Sequence, residues 1–391
     1  MTKRIFFMCL CFLMLFPLKT VGSDEATGSE KLRARVVFAG DIMAHQEQID
    51  GAKRTGSWDF KPQFRRVKPL FEDALAVGNL ETVFAGKKSG FAGYPSFNAP
   101  DELADALSDL SLNIVTLSNN HILDRGAAGA TRTIEVLNDA GILWTGLGSG
   151  GVSGTPLTVE YAGLSWAFVS YSYGSNRALT SKDVSLNTIS DAAVTEGLFR
   201  ARLSSPDIVV ACFHWGDEYR YAPSKRQREI AALSIENGAN LVIGTHPHVL
   251  QPVEVVSSDF GHGYGLVAYS LGNFVSYQRT LPRERSVILA VDFEKTLKGG
   301  ARIARVSAAP TWVSATRPGG RHLIEVVYAG ESERFDRAGL PPREQKTALA
   351  AGKASLEFLG ALTSPDAEGF YTLWDSASAD ILPKGRRKSP L

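Results

Sequence analysis

The chain has 391 residues, 44% of them hydrophobic, so there is ample material for a large buried core. At roughly 150 residues per domain, length alone allows two or three domains, or one large domain with an appendage. Forty-two Lys and Arg stand against 41 Asp and Glu, a formal net charge of +1. No global field therefore draws the protein to an anionic membrane or to nucleic acid, no nucleic-acid partner is expected, and the partner must be sought at a site.

The N-terminus reads Met1-Thr2-Lys3-Arg4, then twelve apolar residues from Ile5 to Phe16, then Pro17 and a small polar stretch around Gly22-Ser23. A basic start, a short apolar run and small residues near a cleavage point describe a signal peptide over 1–23, cut after Ser23. Spanning a bilayer takes about 20 apolar residues. Export to the periplasm or another extracytoplasmic location is expected, with an uncleaved membrane anchor as the alternative. Cys9 and Cys11 would leave with the signal, so Cys212 alone remains, with no internal disulfide partner. It sits in an apolar strand pattern, where a buried inert thiol is expected.

Residues 24–34 are polar and read as a flexible leader. From there the apolar period alternates between short runs and helical spacing. Arg35–Ala39 predicts a strand, Pro62–Asp73 a helix, Leu75–Leu80 a strand, and Asp101–Leu110 a helix. Asn113–Leu117 follows as a strand and Ala127–Ala140 as a helix ended by Gly141. This βαβ punctuation argues for a largely parallel or mixed sheet covered by helices. Leu157–Glu160 and Leu164–Ser172 flank Ala162-Gly163 as an antiparallel hairpin.

Further along, a helix over Val194–Leu203 precedes the Ile208–Phe213 strand, and a helix over Ser224–Asn237 precedes the Leu241–Ile243 strand. Gly265–Tyr269 and Val287–Phe293 read as strands with little helix between them. Beyond Lys295 the pattern weakens into Thr311–Val313, Leu323–Tyr328 and a helix-like stretch from Glu344 to Leu362. A main domain over 35–294 with a 295–391 C-terminal β/α extension is expected. That extension ends in a basic tail around Lys384–Lys388.

Residues able to bind a transition metal recur where these strands end. Asp41 follows the first strand, Glu81 the second, and Asn120-His121 the third. His214 follows the Ile208–Phe213 run, and His246 and His248 follow the Leu241–Ile243 run. Strand ends gather in space even when far apart in sequence, so the spacing can assemble one site from five loops.

Each residue alone has an ordinary reading. His246 and His248 could be a solvent-facing pair in an extended turn, His214 a satisfied structural histidine, and Asn120 and Asp124 caps for the following helix. Together they form a donor set in which a carboxylate can bridge two cations about 3.5–4 Å apart. His121, oriented by Asp124, can act as a general acid or stabilise a developing oxyanion. A Walker loop, a strand–helix GxGxxG and a GxSxG elbow are all absent. Gly146–Gly151 lacks the following helix and lysine of a phosphate cradle and reads as a flexible loop over the site.

Several motifs in order carry a likeness: Gly40-Asp41-Ile42-Met43, Asn79-Leu80-Glu81, Asn98-Ala99-Pro100 and Ser118-Asn119-Asn120-His121 with Asp124 and Gly126. After them come His214-Trp215-Gly216, Gly244-Thr245-His246-Pro247-His248 and Tyr269–Phe274. The set resembles the CapA family, the poly-γ-glutamate capsule synthesis proteins, which are similar to calcineurin-like metallophosphoesterases.

The resemblance implies an α/β fold, a four-layer α/β/β/α sandwich of metallophosphoesterase type with a small C-terminal appendage and a metal site at the strand ends. It implies Asp41, Glu81, Asn120, His214, His246 and His248 as ligands of one or two divalent ions, with Glu81 bridging and His121 and Asp124 in proton transfer. The superfamily's first motif usually adds a histidine two residues after the aspartate. Here that position is Met43, and His45 is two residues too late.

Mn, Fe and Zn suit such ligands alike. Two functions follow. One is a metal-dependent hydrolase acting on a phosphoester or related bond of an envelope polymer or its precursor. The other is a non-catalytic accessory that binds an acidic polymer and assists its assembly or export. The implied partners are an anionic polymer or phosphoester substrate and other capsule-synthesis proteins.

Overall fold

The computed structural model describes residues 31–379 apart from 150–154, 179–183, 261–262, 297–298, 336 and 362–363. The expected signal segment, most of the expected leader and the basic tail lie outside the described residues. The first four strands, β1 (Lys31–Ile42), β2 (Leu75–Leu80), β3 (Ile114–Thr116) and β4 (Leu143–Thr145), run parallel and side by side. A short strand, β5 (Leu147–Ser149), leads to the hairpin of β6 (Leu157–Tyr161) and β7 (Leu164–Ser172), after which β8 (Val184–Leu186) pairs back with β5. The second sheet is completed by β9 (Ile208–His214), β10 (Leu241–Thr245), β11 (Val253–Ser258) and β12 (Gly263–Ala268), in the order β11-β12-β10-β9-β7-β6.

The chain then returns to the first sheet. There β13 (Asn273–Val275) lies beside β1, and β14 (Arg285–Thr296), β15 (Ala301–Thr316), β16 (Leu323–Tyr328) and β17 (Tyr371–Asp375) extend it in antiparallel register. Helices α1 (Gln46–Ala52), α2 (Glu102–Asp109) and α3 (Gly126–Asp139) belong to the first half, α4 (Asp191–Arg202) and α5 (Lys225–Glu236) to the second, and α6 (Pro342–Leu359) to the C-terminal part.

Three apolar layers hold these elements together, and the two-residue strand period explains them. Along β1, Val36 and Phe38 face the other sheet, where they join Trp166, Phe168, Val210 and Ile243. Val37 and Ala39 face the opposite way, onto Leu103 and Leu107 of α2 and Leu137 of α3. On the outer face of the second sheet, Val169, Val209 and Val242 pack against Val194 and Leu198 of α4 and Ile230 and Ile235 of α5. The Trp166 and Phe293 rings meet edge to face across the two sheets, 5.4 Å between centroids. The result is the four-layer α/β/β/α order expected from the resemblance.

Several local expectations are corrected. Pro62–Asp73 is not one helix but two 3₁₀ turns, Lys61–Gln63 and Lys68–Leu70. Each has a proline in its first turn, and Pro69, lacking an N–H, cannot continue a helix begun at Pro62. The leader expected to reach residue 34 ends earlier, because Lys31–Ala34 pair with Phe293–Thr296 in β1. The C-terminal segment is not an appendage: β15, β16 and β17 are strands of the main sheet, and Ala348 and Ala351 of α6 pack with Trp312 and Val327. Its alternation was hidden by the small buried residues Ser307, Ala308 and Ala309 of β15, which lie beside β14, with Ser307 and Ala308 also beside β17. Within the glycine-rich segment, Leu147–Ser149 is strand rather than loop. Cys212 is buried as expected, and burial pushes its thiol up to about 12. No helix among the described residues is long and apolar enough to cross a membrane.

The end of β1 is held by a close backbone approach. Asp41 N–H donates to Gly272 O at 3.0 Å, and a Cβ on Gly40 would lie 1.9 Å from that same oxygen. Gly40→Ala should therefore lower unfolding free energy by about 1–3 kcal/mol or more, read by urea denaturation. A variant as stable as the wild type would refute the tight β1–Gly272 contact.

Candidate metal centre

Because β1, β2 and β3 in one sheet and β9 and β10 in the other end at a common edge, their terminal residues converge. Donor atoms of Asp41, Glu81 and His248 lie within 4.8 Å of one another, and so do those of Glu81, His214 and His246. Glu81 belongs to both groups, the position a bridging carboxylate needs. Asn120 joins the second group: its Oδ1 is 2.9 Å from His214 Nε2, which is 3.6 Å from Glu81 Oε1. All six sequence-derived ligand candidates are thus brought together.

The backbone places them with some strain. Thr245 ends β10, after which His246 and His248 adopt φ of 95° and 57°. The extended turn expected for this pair is therefore replaced by two left-handed residues flanking Pro247. Such a conformation costs of order 1–3 kcal/mol per non-glycine residue and persists only where the surroundings impose it. Here Tyr219 N–H donates to Pro247 O at 2.7 Å and Trp215 N–H to Thr245 O at 3.1 Å.

Hydrogen bonds behind the donors fix their orientation. Asn273 Nδ2 donates to Arg283 O at 3.0 Å, so its Oδ1 faces His248 Nδ1 at 2.9 Å. Asp41 Oδ2 lies 3.1 Å from the same nitrogen. With two acceptors beside it, Nδ1 carries the proton, and the Nε2 lone pair faces Glu81, 3.9 Å from its Oε1. Asn79 Nδ2 donates to Asp41 Oδ1 at 2.8 Å, while its own Oδ1 accepts from Thr116 Oγ1. Thr245 Oγ1 lies 3.1 Å from His214 Nδ1. Asn79, Thr245 and Asn273 were given no role by sequence reasoning, although each lies inside a quoted motif. Supporting residues of this kind have no spacing signature, because what they orient is distant in the chain.

Glu81 decides what the site is suited to hold. It is fully buried, and neither carboxylate oxygen has a hydrogen-bond partner. Burial, reinforced by neighbouring Asp41, raises its pKa well above the usual range. A carboxylate in this state requires a proton or a cation. His246 Nδ1 is likewise buried without a partner. Carboxylate, imidazole and amide oxygen are the donors that Mn, Fe or Zn accept, so the residues present fit a divalent ion.

His121 and Asp124 stand beside this group. His121 Nδ1 is 2.9 Å from Asp124 Oδ2, which also accepts from Phe97 N–H at 2.7 Å. Met43 is buried, and its N–H donates to Val275 O at 3.0 Å. His45 does not replace the missing histidine: it belongs to none of the candidate groups among the described residues. Instead it precedes α1, its ring edge-on to Phe97 and its Nδ1 accepting from Tyr277 N–H at 3.2 Å. The mouth is aromatic, with Tyr173 against His246 at 4.7 Å and Tyr94 against His121 at 6.3 Å between ring centroids.

The sequence model of the family described as "Bacterial capsule synthesis protein PGA_cap" matches residues 35–278, more than half of the chain. The chain belongs to this family. It is 31% identical over 266 residues to the capsule biosynthesis protein CapA of Bacillus anthracis, covering 63% of this chain and 60% of that protein's length. It is 25% identical over 302 residues to the PGA biosynthesis protein CapA of Bacillus subtilis, covering 74% and 76% respectively. Among solved structures, a Candida albicans 5′-nucleotidase aligns with 84% of this chain and 59% of its own, at 7% identity and a TM-score of 0.41, too loose a likeness to inform function. All six candidate donors lie within the region matched by the PGA_cap family.

Two outcomes follow from the charge arrangement. Without metal, Glu81→Gln should be more stable than the wild type because it removes an uncompensated buried charge. With Mn²⁺ added the order should reverse, since only the wild type gains binding free energy. Thermal melts with EDTA and with Mn²⁺ check this, and an unchanged order would refute the charge argument.

Burial, aided by neighbouring imidazoles, also lowers His45 and His246 to about 4. Their unfolded forms bind protons from about 6.5 downward. These two histidines therefore contribute full stability above about pH 6.5 and lose it as pH falls toward 4. His45→Gln should flatten that acid-side loss in urea titrations of the metal-free protein, whereas an unaltered slope would sink the assignment.

Proposed function

We propose that this capsule-synthesis family member is a divalent-metal-dependent hydrolase, acting outside the cytoplasm on a phosphoester or related bond of an anionic envelope polymer or its precursor. The observation that carries the reading is Glu81: a buried carboxylate without a donor, shared by two groups of ligand-capable residues. A divalent ion bound there supplies Lewis acidity toward a phosphoryl oxygen and an activated water nucleophile.

The chain's own residues divide the remaining work. Asp124 accepts from His121 Nδ1–H and stabilises the imidazolium, which leaves Nε2 as the atom that hands a proton to the departing oxygen. Asn79, Thr245 and Asn273 hold the donors in place. Tyr94 and Tyr173, exposed beside His121 and His246, offer aromatic surface to an incoming substrate. The Arg283 guanidinium lies 3.4 Å over the Tyr219 ring, itself 6.0 Å from the His248 ring, and brings positive charge for an anionic substrate.

A non-catalytic accessory role, binding an acidic polymer, is the second reading. It is favoured by Met43, a thioether where the wider superfamily supplies a histidine. Metal analysis of the mature protein and a phosphoester panel divide the two. Turnover that disappears with the metal supports hydrolysis. Retention of the metal-free protein on poly-γ-glutamate, with no turnover in any metal form, supports the accessory.

Residue roles are separable in the same experiment. His121→Ala should keep its metal while turnover falls about 10²–10⁴-fold, whereas Glu81→Ala and His246→Ala should lose metal. Equal metal loss in all three variants would refute this division.

A further inference from the structure

The two groups at the centre are unequal. Glu81, His214 and His246 are joined by the Asn120 amide oxygen, making four donors, whereas Asp41, Glu81 and His248 stand as three. One further carboxylate reaches the histidine turn from the solvent side. A donor oxygen of Glu218 lies within 4.8 Å of ligand nitrogens of both His246 and His248. Glu218 is exposed, but its loop is not free: Tyr219 N–H donates to Pro247 O, and Gln251 Nε2 donates to Arg220 O at 2.8 Å. The loop is thereby locked to the histidine turn, and His246, the middle residue of this third group, carries the buried unpartnered Nδ1.

We propose that Glu218 is a metal ligand, a carboxylate from the β9 loop that joins His246 and His248 on the solvent side of the centre. The inference rests on the metal-centre reading above. Its chemistry is that of a hard carboxylate oxygen on a divalent cation such as Mn²⁺ or Zn²⁺.

Calorimetric titration with Mn²⁺ and metal analysis after gel filtration test this on the wild type, Glu218→Gln and the neighbouring control Asp217→Asn. Two ions are expected in the wild type and in Asp217→Asn. In Glu218→Gln one site should remain and the other should weaken about tenfold or more. The visible spectrum of the Co²⁺-loaded protein should change in Glu218→Gln alone, since loss of a ligand alters coordination whereas loss of a nearby charge does not.

Two wild-type-like sites in Glu218→Gln, or equal weakening in Asp217→Asn, would overturn the proposal while leaving the Glu81 centre standing. A single ion indifferent to Glu218 would do the same. A wild type that takes up no ion would overturn both. Glu218 is exposed, so the metal-free variants should melt with the wild type, and a matching melt confirms that any metal loss is local.

Discussion

Everything at the functional end of this molecule is organised around one unfavourable fact, a fully buried Glu81 carboxylate that no donor satisfies. Leaving an ionised group in that condition costs several kcal/mol unless a proton or cation compensates it. The surrounding residues cannot supply the compensation. Asp41 is of the same sign, and burial holds His214 and His246 below the ordinary histidine range, hence neutral. A cluster of acceptors and lone pairs pointing at one another is unstable by itself and complementary to a divalent ion.

The scaffold opposes that repulsion with backbone contacts that leave little room to relax. Gly40 and Gly244 stand where a Cβ would strike Gly272 O and Tyr269 O at 1.9 and 2.0 Å. Two left-handed histidines are held in place by hydrogen bonds from the β9 loop. Strain and close approach thus occur at the edge where both sheets end, while the three apolar layers supply the stability that tolerates them. Preorganisation of this kind keeps donors at their positions before an ion arrives.

Much of this was legible beforehand because metal-binding residue types are rare enough to be noticed and parallel strands always end on the same side. Asp41, Glu81, Asn120, His214, His246 and His248 were identified from their place after apolar runs, and the structure gathers them. The misreadings have local causes. Pro69 divided an apparent helix, small residues disguised β15 as irregular chain, and a proline between two histidines suggested an extended turn where both flanking residues are left-handed. His45 was close in sequence to the vacant ligand position but serves Tyr277 instead.

By itself the amino-acid sequence determined the family, the βαβ order and the identity of the candidate donors, because those depend on residue type and short-range period. Which donor shares which group, that Glu81 is common to two of them, that Asn273 sets the tautomer of His248 and that Glu218 stands beside His246 and His248 were decided only by tertiary structure. These are relations between residues tens to hundreds of positions apart. Their distances arise from sheet register and backbone close approach, and no local pattern in the chain encodes either.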